Sequence, residues 1–180
     1  RSVSVIFGDG AGAAVLTRSD HNGQGILSTH LHSEGKHALE LSLKGPSTQK
    51  WVPEIIEENN QENPDYYPYM NGQFVFKNAV TRFSEVIMEG LKENGLAVSD
   101  IDMLIPHQAN LRISQFIQKK FKLSDDKVYN NIQKYGNTTA ASIPIALTEA
   151  WEEGKIKEGD KVVLAAFGSG FTWASAVMSW

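Results

Sequence analysis

The chain has 180 residues, of which 41% are hydrophobic and 21% charged, and this composition is typical of a folded domain rather than of a disordered or fibrous chain. Seventeen Lys and Arg residues against 21 Asp and Glu residues give a net charge of −4, so no overall positive charge is available to bind nucleic acid or an anionic membrane. No cysteine is present, which excludes disulfide bonds, zinc sites with cysteine ligands and any thiolate nucleophile supplied by these residues.

The start of the chain has the pattern of a strand and not that of a targeting segment. Residues 1–7 lack the apolar core and the cleavage site of a signal peptide, and no run of 18 apolar residues occurs in the sequence. We therefore expect a cytoplasmic protein with no membrane partner. Because the first residue is not Met and the strand pattern begins without a lead-in, we also expect the chain to be part of a longer protein.

Glycines interrupt the first strand pattern. Residues 3–7 are rich in β-forming side chains, residues 8–12 contain three glycines, and residues 13–17 are largely apolar again, which predicts a hairpin with a glycine turn. The alternative, a phosphate-binding loop, is disfavoured because no Lys followed by Ser or Thr comes after the glycines and no helix pattern follows them.

A second strand is predicted over residues 25–33. His30 and His32 lie two residues apart and so face the same side of this strand, with His37 nearby. A zinc site here would need a further ligand at a fixed spacing, which the sequence lacks. We therefore interpret the histidines as a polar strand face and expect no metal.

Strands and helices alternate after an irregular, proline-containing region over residues 34–69, in which a short helix is expected near residues 52–58. Helices are predicted over residues 73–94, 110–121 and 140–153, and further strands over residues 101–105, 128–132, 161–167 and 172–180. This alternation indicates an α/β fold, with a mixed, mostly parallel five-stranded sheet covered by helices. We expect one domain over residues 1–180.

Two loops, residues 106–110 and 135–139, each follow a predicted strand and precede a predicted helix. Such loops meet at the carboxyl edge of a parallel sheet, where α/β proteins bind their ligands. We therefore expect His107 and Asn137 to lie on the same side, where an imidazole and a carboxamide can both donate hydrogen bonds to the oxygen of an enolate or tetrahedral intermediate. The spacing leaves a plainer alternative open, in which His107 caps a helix and Asn137 fills a turn.

Positive side chains cluster on and just after the second predicted helix. Lys119, Lys120 and Lys122 complement the helix dipole at its C-terminus, which requires no partner. Arg112 lies in the first turn, where the dipole disfavours a cation, so a negatively charged partner explains this residue better.

Four segments occur in a distinctive order: FGDGAGAAVL at residues 7–16, PHQANLRI at 106–113, GNTTAASIPIAL at 136–147 and FGSGFTWASA at 167–176. In sequence, order and spacing they resemble the C-terminal half of the β-ketoacyl-acyl carrier protein synthase III family, whose members are thiolase-like condensing enzymes. The similarity spans nearly all 180 residues.

The resemblance implies a thiolase-like fold and a decarboxylative Claisen condensation that starts fatty acid biosynthesis. In this family a short acyl group, such as acetyl, passes from coenzyme A to a cysteine and is then joined to malonyl-acyl carrier protein. His107 and Asn137 match two members of the family's Cys-His-Asn set and would bind the thioester oxygen. The implied partners are acyl carrier protein, acyl-coenzyme A, the N-terminal half of the same enzyme and a second copy in a homodimer. No cofactor is implied, because coenzyme A enters as part of the substrate.

Further positions can be assigned from the matching segments. The resemblance implies substrate binding by Met70, Gly72, Phe76, Ala109, Asn110, Phe167, Gly168 and Ser169. It implies docking of the acidic carrier protein by Lys77, Arg112, Lys119 and Lys120, which supplies the negative partner that Arg112 requires.

The sequence departs from the family pattern in several places. The nucleophilic cysteine is absent, so this chain alone is expected to be inactive and to supply only the His and Asn part of the site. Ser169 replaces a family glycine and would be strained if its position required a positive φ. Gln73 replaces a usual Asn, and residues 36–69 are longer than in the shorter family members.

Two alternative functions stay open from the sequence. The chain could belong to a related condensing enzyme of secondary metabolism with a different acyl product. It could also be a module that binds the carrier protein or coenzyme A without catalysis.

Overall fold

The computed structural model describes residues 3–21, 23–45, 65 and 67–180. The helix predicted near residues 52–58 lies outside these ranges. No helix of the described part is long and apolar enough to cross a membrane.

A four-stranded mixed sheet forms the centre of the described structure. The strands within the described ranges are β1 (Gly25–Ser33), β2 (Leu41–Ser42), β3 (Tyr69–Met70), β4 (Met103–Pro106), β5 (Lys161–Gly168) and β6 (Thr172–Ser179). The central sheet has the order β1-β6-β5-β4, and β2 pairs with β3 in a separate two-stranded sheet. Strands β4 and β5 are parallel, whereas β6 is antiparallel to both β5 and β1.

The described residues form the α-helices α1 (Gly72–Glu93), α2 (Leu111–Phe121), α3 (Ile132–Tyr135) and α4 (Ser142–Glu152). Short 3-10 helices occur at Ser4–Ile6, Gly35–Glu40, Val98–Asp100, Asp125–Lys127 and Thr139–Ala141. Asn71 caps α1 by accepting a hydrogen bond from the backbone N–H of Phe74, and Gly95, with φ of +65°, follows its end. The helices predicted over residues 73–94, 110–121 and 140–153 are thus confirmed to within two residues at each end.

Apolar side chains cover both faces of the sheet. Helices α1 and α2 pack on one face, where Phe83 and Ile117 join Val163 of β5 in one core. Helix α4 packs on the other face, where Ala146 joins Val162 of β5 in a second core. Because neighbouring residues of β5 enter different cores, this strand is apolar on both faces, as expected for a central strand between two helix layers.

The strand predicted over residues 128–132 is not formed. Val128 makes a single parallel bridge with Leu104, and the chain then turns into α3. The described sheet therefore has four strands rather than five, and two of its three strand pairs are antiparallel. The prediction of a mostly parallel, five-stranded sheet is wrong, whereas the α/β class and the mixed pairing are confirmed.

The hairpin predicted over residues 3–17 is also wrong. Phe7 makes an isolated parallel bridge with Asn137, and residues 8–19 contain no helix or strand. A Cβ atom on Gly8 would lie 1.9 Å from the carbonyl oxygen of Tyr135, and one on Gly12 would lie 2.4 Å from Cβ of Pro144. These glycines allow the segment to pack closely on distant parts of the chain, and they do not form a turn.

Candidate active site

A cavity of about 1220 Å³ opens at the carboxyl ends of β4 and β5. Both predicted catalytic residues and all eight predicted substrate-binding residues line it. They are Met70, Gly72, Phe76, His107, Ala109, Asn110, Asn137, Phe167, Gly168 and Ser169. The structure therefore brings together residues from separate loops and elements around one space.

His107 follows β4 directly, and its backbone N–H extends the pairing to β5 by donating to the carbonyl oxygen of Ala165 (2.8 Å). The imidazole Nδ1 lies 2.6 Å from Oγ of Ser142, at the start of α4. Within the described ranges, Nε2 makes no hydrogen bond to protein. Burial lowers the pKa of His107, which favours a neutral imidazole.

Hydrogen bonds of its backbone and of its side chain hold Asn137 in place. Its N–H donates to the carbonyl oxygen of Ile6 (2.9 Å), and its carbonyl oxygen accepts from the N–H of Gly8 (3.0 Å). The side-chain Oδ1 accepts from the N–H of Thr139 (2.9 Å), which orients the carboxamide. The Nδ2 group bonds none of the residues whose structure is described, so its N–H donors are available to a ligand.

Asn137 is thus positioned by a segment far away in sequence, whereas the prediction placed it after a strand over residues 128–132. That strand is not formed, yet His107 and Asn137 line the same cavity. His107 does not have the alternative role of helix cap, because Asn110 caps α2 by accepting from the N–H of Arg112 through its Oδ1. Asn137 does bond within its own turn, as the other alternative expected, and its side-chain Nδ2 bonds none of the described residues.

Glu149 anchors the segment that precedes Asn137. The carboxylate accepts hydrogen bonds from Tyr135 Oη (2.5 Å), Asn131 Nδ2 (2.8 Å) and Lys134 Nζ (3.3 Å). Burial raises the pKa of Glu149, but the hydrogen bonds outweigh this effect, so the pKa lies below its usual value. An ionised Glu149 on α4 therefore holds α3 in place.

The loop between β5 and β6 accommodates Ser169 without the strain considered above. The positive φ in this loop belongs to Gly170 (+134°) and not to Ser169. The Ser169 hydroxyl donates to the carbonyl oxygen of Leu41 (2.5 Å), which ties the loop to the small β2–β3 sheet.

The four residues predicted to dock the carrier protein lie outside the cavity lining. Lys77 is exposed on α1, and Arg112, Lys119 and Lys120 are exposed on α2. The rings of Phe76 and Phe116 contact each other edge to face across these helices, with centroids 6.4 Å apart. The basic residues therefore belong to two packed helices, one of which contributes Phe76 to the cavity.

The histidines of β1 belong to a polar cluster. Nε2 of His32 lies 2.6 Å from Oε2 of Glu89, and Nδ1 of His30 lies 3.6 Å from Oε1 of the same side chain. No group of three or more potential metal ligands occurs in the part of the chain that was described.

The sequence did not predict several residues of the cavity lining, among them Ile6, Phe7 and Ser142. Ile6 and Phe7 line the cavity because residues 6–8 pair with the backbone of Asn137, and the glycines at 8 and 12 were the signal in the sequence of this close approach. Ser142 was missed because a serine at the start of a helix reads as a cap, whereas this hydroxyl bonds to another loop.

Two family models match the chain. The model described as 3-oxoacyl-[acyl-carrier-protein (ACP)] synthase III C terminal matches residues 91–180, and the one described as 3-oxoacyl-[acyl-carrier-protein (ACP)] synthase III matches residues 1–35. His107 and Asn137 lie within the first match.

Curated and solved proteins of the same description are similar over the whole chain. The β-ketoacyl-[acyl-carrier-protein] synthase III of Clostridioides difficile is 48% identical over 181 residues, which cover 100% of this chain and 53% of the relative. Crystal structures of 3-oxoacyl-[acyl-carrier-protein] synthase III from Aquifex aeolicus (TM-score 0.85, 40% identity) and Pseudomonas aeruginosa (TM-score 0.86, 36% identity) each cover 100% of this chain. This chain covers 52% of each of those structures.

The chain thus spans about half the length of the curated relatives it matches. The thiolase-like α/β architecture implied by the four sequence segments is confirmed by these neighbours.

Proposed function

The chain belongs to the 3-oxoacyl-[acyl-carrier-protein] synthase III family, and on that premise we propose that it supplies the His and Asn half of a condensing active site. One observation carries the proposal: His107 and Asn137 line the same cavity, and each has a ring or amide nitrogen without a partner among the described residues. Two N–H donors that both reach one oxygen in this cavity would suit an oxygen that gains negative charge during a reaction.

The proposed reaction begins outside these 180 residues. An acyl group passes from coenzyme A to the sulfur of a cysteine, and coenzyme A leaves as its thiol. This chain contains no cysteine, so the nucleophile has to come from another segment of the enzyme. No cofactor is required, because the thioesters carry the reacting groups.

The described residues act in the second stage. Malonyl-acyl carrier protein loses CO₂ when the bond from its carboxylate carbon to the α-carbon breaks, and the electron pair of that bond forms an enolate with the thioester oxygen. His107 and Asn137 donate hydrogen bonds to this oxygen and lower the energy of the enolate. The α-carbon then attacks the acyl-cysteine carbonyl, a carbon–carbon bond forms, and the cysteine leaves as a thiolate.

The remaining cavity residues bind the two thioester arms in this proposal. Ala109 and Asn110 contact pantetheine, and Met70, Gly72 and Phe76 line the path of coenzyme A. Phe167, Gly168 and Ser169 lie beside the acyl thioester. The support for these roles is that all eight residues line the cavity that contains His107 and Asn137.

Carrier protein docking is assigned to the exposed cations of α1 and α2. Lys77, Arg112, Lys119 and Lys120 offer positive charge to an acidic partner in a chain whose net charge is −4. We further propose that residues 1–180 form one domain of a cytoplasmic homodimer.

An activity assay of the complete enzyme tests the proposal. We expect a polypeptide that joins this chain to its cysteine-bearing segment to form a 3-oxoacyl-carrier protein and CO₂ from acetyl-coenzyme A and malonyl-carrier protein. The 180-residue chain alone is the matched control and forms neither product. A product only from other acyl-coenzyme A starters would favour an enzyme of secondary metabolism, and binding without CO₂ release would favour a docking module.

A further inference from the structure

The hydroxyl of Ser142 lies in an unusual position for a serine at the start of a helix. Ser142 is the first residue of α4, is only 2% exposed, and makes no hydrogen bond to the backbone of its own helix. Its Oγ instead lies 2.6 Å from Nδ1 of His107 and 3.2 Å from the backbone nitrogen of Gln108. Both contacts reach the loop that carries His107.

Hydrogen-bond accounting assigns the direction of these two contacts. A backbone N–H can only donate, so Oγ of Ser142 accepts from Gln108. The serine hydroxyl has one proton of its own, and Nδ1 of His107 is the one acceptor within hydrogen-bond distance of it among residues whose structure is described. The hydroxyl therefore donates to Nδ1, which requires a lone pair on that nitrogen.

The imidazole is also kept neutral by its surroundings. Burial lowers the pKa of His107, and the positive end of the α4 dipole begins at Ser142, next to the ring. Both effects disfavour an imidazolium ion. A neutral ring with a lone pair on Nδ1 carries its single proton on Nε2.

Building on the proposed function, we propose that Ser142 is a positioning residue that fixes the tautomer in which Nε2–H of His107 donates to the substrate thioester oxygen. The opposite tautomer would present the lone pair of Nε2 to an oxygen that becomes negative, and this contact is repulsive. Ser142 thus acts on the reaction through His107 and does not itself touch the reacting atoms.

The tautomer can be measured in the complete enzyme labelled with ¹⁵N-histidine. Long-range ¹H–¹⁵N spectra distinguish a protonated from an unprotonated ring nitrogen, and the His107 signals are identified by their loss in His107→Gln. We expect the wild-type enzyme to carry the proton on Nε2. In Ser142→Ala we expect both tautomers and a loss of about tenfold in malonyl decarboxylation, which corresponds to one lost hydrogen bond.

Two further variants separate positioning from stability. Ser142→Thr keeps the hydroxyl and should restore the wild-type tautomer. Ser175→Ala removes another buried serine hydroxyl, which donates to the carbonyl oxygen of Val86 (2.9 Å) away from the cavity, and it should change neither the tautomer nor the decarboxylation rate. If Ser142→Ala does not fold, Ser142→Cys takes its place, since a thiol is a weak donor and should also raise the Nδ1–H population.

A wild-type spectrum with the proton on Nδ1 would overturn the inference, and so would an unchanged tautomer in Ser142→Ala or Ser142→Cys. Failure of the proposed function gives a different result: the wild-type enzyme would then release no CO₂ from malonyl-carrier protein, while the spectrum would still report the tautomer of His107.

Discussion

The buried side chain of Gln108 takes the place of strand pairing between β4 and the segment that follows α2. Its Nε2 donates to the carbonyl oxygens of Pro106 (2.7 Å) and Tyr129 (3.3 Å). Its Oε1 accepts from the N–H groups of Asn131 (3.1 Å) and Ile132 (3.2 Å). One carboxamide thus satisfies four backbone groups next to the loop that holds His107.

Replacing Gln108 by Leu should lower the free energy of unfolding by about 3 kcal/mol, because buried backbone groups lose their hydrogen-bond partners while the volume of the side chain stays similar. Urea titration of the complete enzyme measures this change. Gln115→Leu is the control, since Gln115 is exposed on α2 and its replacement should have almost no effect. Equal losses in the two variants would contradict the role given to Gln108.

The positions of single residues were predictable where a motif marked them. The loops around His107 and Asn137 predicted that these residues lie near each other. The prediction relied partly on a strand over residues 128–132, which is not formed. Gln108 and Ser142 could not be found, because their long-range partners lie 21 or more residues away in sequence and nothing local distinguishes a buried bridging side chain from a loop or cap residue.

At the level of elements, the contact between α3 and α4 determines where the Asn137 loop begins. Glu149 of α4 accepts hydrogen bonds from three side chains of residues 131–135 and from Tyr129 Oη (3.3 Å), and the bonds from residues 131, 134 and 135 favour its ionised form. The helix of four residues has little stability of its own, so tertiary contacts hold it.

Replacing Glu149 by Gln should cost about 1–2 kcal/mol of unfolding free energy at pH 7, because charge-assisted hydrogen bonds are lost. The folded-state pKa of Glu149 lies below the ordinary value of 4.5. The stability from its ionised form is therefore fully present above that pH and is lost as the pH falls through the lower folded-state pKa. Urea titrations between pH 7 and pH 3 should show the difference between wild type and Glu149→Gln shrinking below pH 4.5.

The neighbouring Glu152→Gln provides the control, since Glu152 is exposed and its replacement should leave stability nearly unchanged at every pH. A difference for Glu149→Gln that grows as the pH falls would contradict the assignment.

Long periodic elements were predicted well because their apolar spacing is a local property. Helix α1 shows this most clearly, since its buried residues recur on one face over 22 residues. The segments at residues 3–17 and 128–132 were mistaken for strands because β-forming residues do not reveal whether a neighbouring strand is available. Among the residues with described structure, Phe7 and Val128 each make one isolated bridge.

At the scale of the whole molecule, helix α1 connects the cavity with the exposed cations of α1 and α2. Helix α1 carries both Phe76, which lines the cavity, and the exposed Lys77. In the proposed docking, a carrier protein bound to these helices would lie next to the cavity that receives its thioester arm. Charge attraction would guide the encounter.

Replacing Arg112 by Glu should raise KM for malonyl-carrier protein by about tenfold, because a cation facing an acidic partner becomes a like charge. KM for acetyl-coenzyme A should change much less. Steady-state kinetics of the complete enzyme at low and high salt measure both values, and salt should reduce the effect. Lys157→Glu makes the same change of charge on an exposed residue outside α1 and α2; equal effects of the two variants, or on the two substrates, would argue against docking at Arg112.

The most direct measurement of the proposed function is malonyl decarboxylation by complete enzymes carrying His107→Ala or Asn137→Ala. Each variant should release CO₂ from malonyl-carrier protein about 10² to 10⁴ times more slowly than the wild type, because one donor to the enolate oxygen is lost. Transfer of the acetyl group to the cysteine should be affected less, and both variants should remain folded. Wild-type rates of CO₂ release in both folded variants would contradict the proposal that His107 and Asn137 stabilise the enolate.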